Sequence, residues 1–351
     1  MLQETTTEDF AGQVVADVAA AISGVLTNIG HKKGLYKAMA GTGEITAKEL
    51  ASTTQCDERY VREWLNNQTA GGYVCYNQIS DTYYMPDSHI PVLADEESPF
   101  FLIPALEVAA SLWLDEDKLL NIFKTGNGLE WGEHHHRLSC GSESLFRPGY
   151  KTFLIKDWIN SVDGLAEKLK SGAKIADVGC GHGVSTILLA NEYPDSKVIG
   201  FDVHEKSIAT AKSRSEEAGT NDNIEFKIAN AKDYPETGFD LICFMDCLHD
   251  MGDPVGAAKH AKEALNPDGV VLLVEPAAGD EVSDNINPVG RLYYGVSTVV
   301  CTPCSKSQEV GVALGAQAGE QRLSEVMKEA GFTSIERVAE TPFNIILAAR
   351  L

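Results

Sequence analysis

Lys174-Ile175-Ala176-Asp177-Val178-Gly179-Cys180-Gly181-His182-Gly183 is the stretch whose reading decides the fold. A short strand, Lys174 to Val178, runs into three glycines at alternate positions, and Val184 to Tyr193 then reads as a helix. Strand, glycine-rich turn and helix in that order let the backbone approach a ligand at the carboxyl edge of a parallel sheet. The spacing is G-x-G-x-G, without the third glycine two residues further on that a dinucleotide fingerprint has, and an acid, Asp177, stands just before the first glycine. An ammonium group needs an acceptor that a pyrophosphate would reject, so the turn favours an adenosyl amino acid over NAD. Asp177 supplies that acceptor directly or through water; the alternative is that it merely caps the turn.

Downstream, short apolar strands alternate with helices of ten to fifteen residues, the pattern of βαβ units on a parallel sheet. The second strand, Lys197 to Phe201, ends at Asp202, where a carboxylate can accept both hydroxyls of a ribose. The third, Ile224 to Ile228, leads to Asn230-Ala231, which offers a side-chain carbonyl to an exocyclic amine and a backbone N–H to a ring nitrogen, unless it is a plain loop. The fourth, Phe239 to Phe244, is followed by Met245-Asp246-Cys247-Leu248-His249-Asp250, and Leu265-Asn266-Pro267-Asp268-Gly269 introduces a fifth, Val270 to Val274, that ends at Glu275-Pro276.

Upstream the period changes. Val15, Val18, Ile22, Leu26 and Ile29 recur at helical spacing, so a first amphipathic helix is expected to end near Gly30. Thr46 and Glu49 have the spacing of a capping box, Asp57 can cap a second helix through Val61 and Leu65, and Gly71-Gly72 releases the chain into two β-rich pieces, Tyr73 to Tyr76 and Thr82 to Met85. Helix, turn, helix and hairpin spell a winged helix. Between Thr46 and Gly71, however, three basic side chains face four acidic ones, whereas a DNA-reading module carries a basic face. A packing and dimerisation module fits better, with the first helix contributing its apolar stripe. From Pro99 to about Lys170 the pattern is helical, interrupted by glycines, and its last helix carries Leu154, Trp158, Val162, Leu165 and Leu169 on one stripe. The expected domains are therefore 1–95, a linker and lid at 96–171, and 172–351.

The 351 residues leave ample length for a core, and 44% hydrophobic, 23% charged and 8% aromatic residues are ordinary globular values. The charge is not ordinary: 29 Lys plus Arg against 51 Asp plus Glu leave −22, which repels phosphate backbones and anionic lipid. Nucleic acid and membrane are therefore unexpected partners. The longest apolar run, Val14 to Ile29, is broken by Asp17, Ser23, Thr27 and Asn28, and Met1 to Phe10 carries acids where a signal peptide carries Lys or Arg. A cytoplasmic address is the default expectation. The eight cysteines are read as reduced thiols.

Asp177 to Gly183, Asp202, Asn230-Ala231, the Phe239-Asp240 strand and the Asn266-Pro267-Asp268-Gly269 turn together resemble the ordered motifs of class I S-adenosylmethionine-dependent methyltransferases over residues 172 to 351. The winged helix before them is similar to the front module of two-domain small-molecule methyltransferases, where it dimerises and helps roof the active site. The resemblance implies an α/β fold, a Rossmann-like seven-stranded methyltransferase domain preceded by a mainly helical winged-helix domain, with S-adenosylmethionine as cofactor, a small-molecule acceptor with an O, N or S nucleophile, and a homodimer. It sets the methionine end of the cofactor against Asp177, Gly179 and Gly181, the ribose on Asp202 and the adenine near Val203, Asn230 and Ala231, with Gly183 and Asp246 completing the set. Many members have Asp where Asn230 stands; an amide still accepts from the adenine amine.

Methyl transfer from a sulfonium is an in-line substitution, so the protein positions the nucleophile and removes its proton where one must leave. Leu248-His249-Asp250 looks like the His-Asp pair that plant-type winged-helix O-methyltransferases carry after this strand. It makes His249 the candidate base and Asp250 its orienting partner; the alternative is a neutral structural histidine in a capping turn. Acceptor-pocket candidates are Trp131, His135, Tyr150, Tyr293 and Tyr294, the last two in a Gly-rich insertion, Asp280 to Gly319. No metal is expected: consecutive His134-His135-His136 cannot all face one ion, and Cys301-x-x-Cys304 has no second pair of matching spacing. The cysteine pair is two small residues of the insertion, or includes a thiolate near the substrate. The competing functions are a ligand-sensing transcription regulator, against which the acidic helix-turn-helix speaks, and an NAD oxidoreductase, which lacks the third glycine.

Overall fold

A computed structural model describes residues 6–219 and 222–351; the first five residues of the expected leader reading lie outside them. The described chain forms two compact units, residues 1–110 with 137–149, and residues 111–136 with 150–351. The segment expected as a separate linker and lid, 96–171, is thus shared between the two units rather than forming a body of its own.

In the first unit the helix Thr7–Lys32 begins at a capping box of Thr6 and Asp9. It passes through Gly30 because that glycine is a packing site, not a stop: a Cβ there would sit 2.5 Å from the Trp64 ring, and the Trp64 indole N–H donates to the Leu26 carbonyl at 2.8 Å. The expected capping box of Thr46 and Glu49 opens Ala47–Thr54, and Asp57 caps Glu58–Ala70 by accepting from Arg59 and Tyr60 N–H groups. Strands β1 (Cys75–Asn77) and β2 (Thr82–Tyr84) pair antiparallel, and an Ile45 to Tyr83 bridge adds a third edge to the wing. Leu35, Tyr36, Met39, Leu50, Val61, Trp64 and Leu65 form the core of this unit. One side of the long helix stays in the open, with Val15 67% and Ile22 62% exposed. This helix is also long and apolar enough to cross a membrane by length and composition, which the broken apolar run did not suggest; only Asp17 among its interruptions is charged.

The second unit is a seven-stranded sheet in the order β5-β4-β3-β6-β7-β9-β8. Its strands are β3 (Lys174–Val178), β4 (Lys197–Asp202), β5 (Ile224–Ile228), β6 (Phe239–Met245), β7 (Leu265–Pro276), β8 (Ser334–Glu340) and β9 (Asn344–Arg350). The first five run parallel, and β9 inserts antiparallel between β7 and β8. The chain steps outward from β3 to β4 and β5, then returns to the other side of β3 with β6, so a topological switch lies between β3 and β6. Strand β7 starts five residues earlier than expected, because Leu265 already pairs with Phe239 before an irregularity restores register at Leu241 and Val270. Branched and aromatic residues, among them Val178, Phe201, Ile242, Phe244, Val271, Leu273 and Leu347, fill the sheet core. Leu154, Trp158, Val162, Leu165 and Leu169 are buried as a stripe, although the helix expected to carry them is π-wound over Tyr150–Ile159 and restarts after Gly164 as Leu165–Lys170.

Gly183 caps the helix Val184–Glu192 in close contact with Phe226 of β5 and Ala211. Its φ is +80°, and a Cβ would lie 2.8 Å from the Phe226 ring and 2.9 Å from the Ala211 methyl. Left-handed strain and overpacking add, so Gly183→Ala should destabilise the second unit by about 2–4 kcal/mol. Urea unfolding followed by tryptophan fluorescence checks this; an unchanged midpoint would contradict the close packing.

Candidate active site

The glycine-rich turn is held from β4. The Phe201 carbonyl accepts from the Gly179 and Cys180 N–H groups at 2.8 and 3.0 Å, and the Asp202 carboxylate accepts from Gly181 N–H at 2.9 Å and His204 N–H at 2.8 Å. Gly181, with φ +52°, has no atom within 4 Å of where a Cβ would stand, so the crest of the turn faces open space. Gly183 does not: it faces Phe226 and Ala211, and its role is packing rather than the ligand contact expected of it. Asp202 retains lone pairs on both oxygens beyond its two backbone bonds. Next to it Val203 is 64% exposed, an apolar surface left uncovered at the end of β4.

Asp177 departs from the expectation of a direct ammonium acceptor. Its carboxylate is fully buried, and one oxygen accepts from the Ser185 and Thr186 hydroxyls at 2.6 Å each, fastening the turn to the start of the helix Val184–Glu192. Its other oxygen is buried and accepts no hydrogen bond, and burial raises the carboxyl above its ordinary range. Asn230 also serves its own turn first: it is exposed and accepts from Lys232 N–H at 3.0 Å, beside half-buried Ala231.

At the end of β6 the backbone of Asp246 is left-handed, φ +50°, a strained conformation for a residue with a side chain. Its N–H donates to the Val274 carbonyl at 2.7 Å. Its carboxylate accepts from the Tyr150 hydroxyl and the Asn344 amide, both at 2.8 Å. Both donors are neutral, and burial together with the Glu275 charge pushes the Asp246 carboxyl up to about 7. Cys247 follows, its sulfur 3.1 Å from the Val178 carbonyl and directly under Gly179, so the ends of β3 and β6 touch.

His249 holds the expected place but not the open nitrogen that a base needs. Only 4% of it is exposed. Nδ1 lies 2.5 Å from Glu275 Oε2, and Nε2 lies 3.2 Å from Asp250 Oδ1. Burial opposes its charge, but the Asp250 and Glu275 carboxylates outweigh that and hold its pKa well above the ordinary value. Glu275, itself 1% exposed, also accepts from Leu248 N–H at 3.0 Å. The Cys301 thiol completes this cluster, pushed up to about 12 by burial. With that shift Cys301 stands as the thiol, not as the thiolate near the substrate offered as the alternative.

The remaining pocket candidates divide. Tyr150 belongs to Asp246, and Tyr293 donates to the Phe343 carbonyl at 2.7 Å while lying close enough to feel the Asp246 charge. Trp131 turns its backbone N–H toward the Cys304 thiol, and Tyr294 is exposed. His135 is not brought to this cluster: its N–H donates to Asp115, which also meets His134 and Lys118 in a buried knot of its own. Glu275 and Asn344 were missed as site residues. Glu275 was visible only as the end of a strand, and nothing local in the sequence signals that β9 brings Asn344 beside Asp246.

Residues 169–331 match the family described as a methyltransferase domain, and residues 20–95 match the Rv2258c-like winged HTH domain. The chain is 29% identical over 180 residues to the 27-O-demethylrifamycin SV methyltransferase of Amycolatopsis mediterranei, covering 48% of this chain and 62% of that one. It therefore spans less than two thirds of that relative's length. Among solved structures it superposes on a putative O-methyltransferase of Nostoc punctiforme with a TM-score of 0.70 at 17% identity, covering 99% of both chains. Human N-acetylserotonin methyltransferase in complex with S-adenosylmethionine gives 0.68 at 15%, again over 99% of both chains. At such identities these two likenesses establish the fold. With its motifs, its sheet order and both domain matches in agreement, the chain carries a winged helix-turn-helix domain followed by a methyltransferase domain, and in that order it resembles the two-domain class I S-adenosylmethionine-dependent methyltransferases.

Proposed function

We propose that the protein methylates a small-molecule acceptor with S-adenosylmethionine, which supplies an electrophilic methyl group on a positively charged sulfur. The observation that carries this reading is the carboxyl edge of β3, β4 and β6. There an open glycine crest, Asp202 with unused lone pairs, bare Val203 and the half-buried Asp246 surround one switch point. Among the described residues, no Lys or Arg ion pair neutralises Asp177, Asp202 or Asp246. Uncompensated carboxylates at the carboxyl edge of the sheet favour a cation, and a carboxylate pinned by two backbone N–H groups is oriented to accept ribose hydroxyls. Gly179 and Gly181 would border the methionine end, Val203, Asn230 and Ala231 the adenine, and Asp246 the positive charge.

His249 and Asp250 border the acceptor in this reading, with Trp131, Tyr150, Tyr293 and Tyr294 shaping its chamber. Glu275 on its Nδ1 side and Asp250 beside its Nε2 hold the His249 ring in one orientation at this edge. The regulator alternative gains nothing from the winged helix: Arg59 pairs with Glu63, and Arg62 with Glu58 and Asp81, so two of its three basic groups are answered within the module. A second copy of the chain is the partner for the exposed face of Thr7–Lys32. The face is apolar along Val15, Val18, Ile22 and Val25, its far end is fixed by Trp64, and a net charge of −22 disfavours anionic lipid.

Three outcomes test these statements. Asp202→Ala should raise the dissociation constant for S-adenosylmethionine roughly ten- to a hundredfold in calorimetric titration, because hydrogen bonds to a charged acceptor contribute about 1.5–3 kcal/mol each before compensation. Unchanged affinity in a folded variant would move the ribose elsewhere.

Asp246 carries a pH signature. Its carboxyl titrates near 7 in the fold against an ordinary 3.8, so the unfolded chain ionises first and this residue lowers stability as pH rises between those values. Asp246→Asn, with the Tyr150 hydroxyl reversing to accept, should therefore gain about 2–3 kcal/mol relative to the parent between pH 4.5 and 8 in urea unfolding without ligand. A pH-independent difference would mean that the carboxylate is not desolvated.

Light scattering at micromolar concentration should give a dimer, and Val18→Glu with Ile22→Glu should give a folded monomer. A monomeric parent, or a dimer that survives both substitutions, would reject the second-copy assignment.

A further inference from the structure

We propose that His249, Asp250 and Cys301 bind one divalent transition-metal ion, zinc by the chemistry of the donors. The His249 imidazole nitrogen, an Asp250 carboxylate oxygen and the Cys301 sulfur all lie within 4.8 Å of one another, and the nitrogen and oxygen are 3.2 Å apart. Two ligands about 2.0–2.2 Å from a tetrahedral ion stand roughly 3.3 Å from each other, so this pair already has the required spacing. The three donors come from two elements about fifty residues apart, the turn Leu248–Asp250 and the π-wound segment Ser297–Cys301.

The surroundings are those of a prepared site. Glu275 holds the His249 Nδ1 side and is itself fixed by Leu248 N–H, so the ring can only offer Nε2 to the cluster. A carboxylate behind a histidine in this way orients the ring and raises its basicity as a ligand. Asp250 Oδ1 is buried without a hydrogen-bond partner and stands 3.2 Å from His249 Nε2, so its lone pairs are not engaged by another donor. The Cys301 segment is tied to the turn by two further bonds: the Ser305 hydroxyl donates to the Met251 carbonyl at 2.8 Å, and the Gln308 amide donates to the Asp250 carbonyl at 3.0 Å. The approach of sulfur to imidazole is therefore built into the insertion.

One sulfur, one nitrogen and one oxygen suit zinc and disfavour magnesium or calcium, which take oxygen ligands. Cys301 binds as the thiolate, its proton passing to solvent. Three protein ligands leave the fourth tetrahedral position open, the arrangement of a catalytic rather than a structural ion. At that position the oxygen or sulfur of an acceptor would lose its proton more readily, which would give the site a Lewis acid where no side-chain base stands open. The binding claim is independent of the methyl-transfer reading.

The full-length protein, stripped with a chelator, should take up one equivalent of Zn2+ in calorimetric titration, and Co2+ in its place should give a thiolate-to-cobalt charge-transfer absorption. Cys301→Ser should abolish that absorption, and His249→Gln or Asp250→Asn should weaken zinc at least about tenfold. Cys140→Ser, which alters an exposed thiol outside the cluster, should leave both signals intact. Retained S-adenosylmethionine binding by the same variants reports that they fold and keeps this test separate from the methyl-transfer reading. Stoichiometric binding that ignores Cys301→Ser, or no binding by the parent, would overturn the proposal.

Discussion

The site depends on the clamp between β4 and the glycine-rich turn. Phe201 offers one carbonyl to two successive N–H groups, and Asp202 takes the N–H of Gly181, so three backbone donors of a loop that can form no regular ladder are answered from the neighbouring strand. Backbone donors left unpaired near the sheet edge would cost about as much as the fold can spare. The clamp removes that cost and in the same act aims the Asp202 carboxylate and uncovers Val203. Asp177 supplies the other half of the restraint from below, through Ser185 and Thr186. A turn fastened at both ends is preorganised, and ligand binding need not order it.

On the other side of β3 the structure concentrates negative charge. Asp246, Asp250 and Glu275 stand at the ends of β6 and β7, with the His249 ring among them and no Lys or Arg ion pair on Asp246 or Glu275 among the described residues. Such a cluster is costly without cations and stable with them. It explains why the Asp246 carboxyl is driven to titrate near neutrality and why its backbone is kept in a strained conformation, fixed by Tyr150 and Asn344.

Local chemistry was legible in the sequence wherever it was set by neighbours in the chain. The capping box of Thr46 and Glu49, the glycine turn, the parallel strands and the Asp202 position all follow from residues a few steps apart, and the structure repeats them. What the sequence concealed was set by tertiary placement. Gly30 resembles a helix stop until Trp64 packs on it, and Asp177 resembles a ligand group until its burial turns it to the helix start. His249 resembles a base until Glu275 and Asp250 close on both its nitrogens. Cys301 and Asn344 reach the site through an insertion and an antiparallel strand whose positions no short-range pattern encodes.

Methyl transfer to a small molecule at this edge can be read in a single incubation. The purified protein is incubated with a deproteinised metabolite extract and S-adenosylmethionine carrying an isotope-labelled methyl group, and the products are separated by mass. Label appearing in a low-molecular-weight compound, with S-adenosylhomocysteine formed in equal amount, is the predicted result. Tight binding of the cofactor with no labelled product from any extract, or label confined to nucleic acid or protein added in parallel, would contradict it.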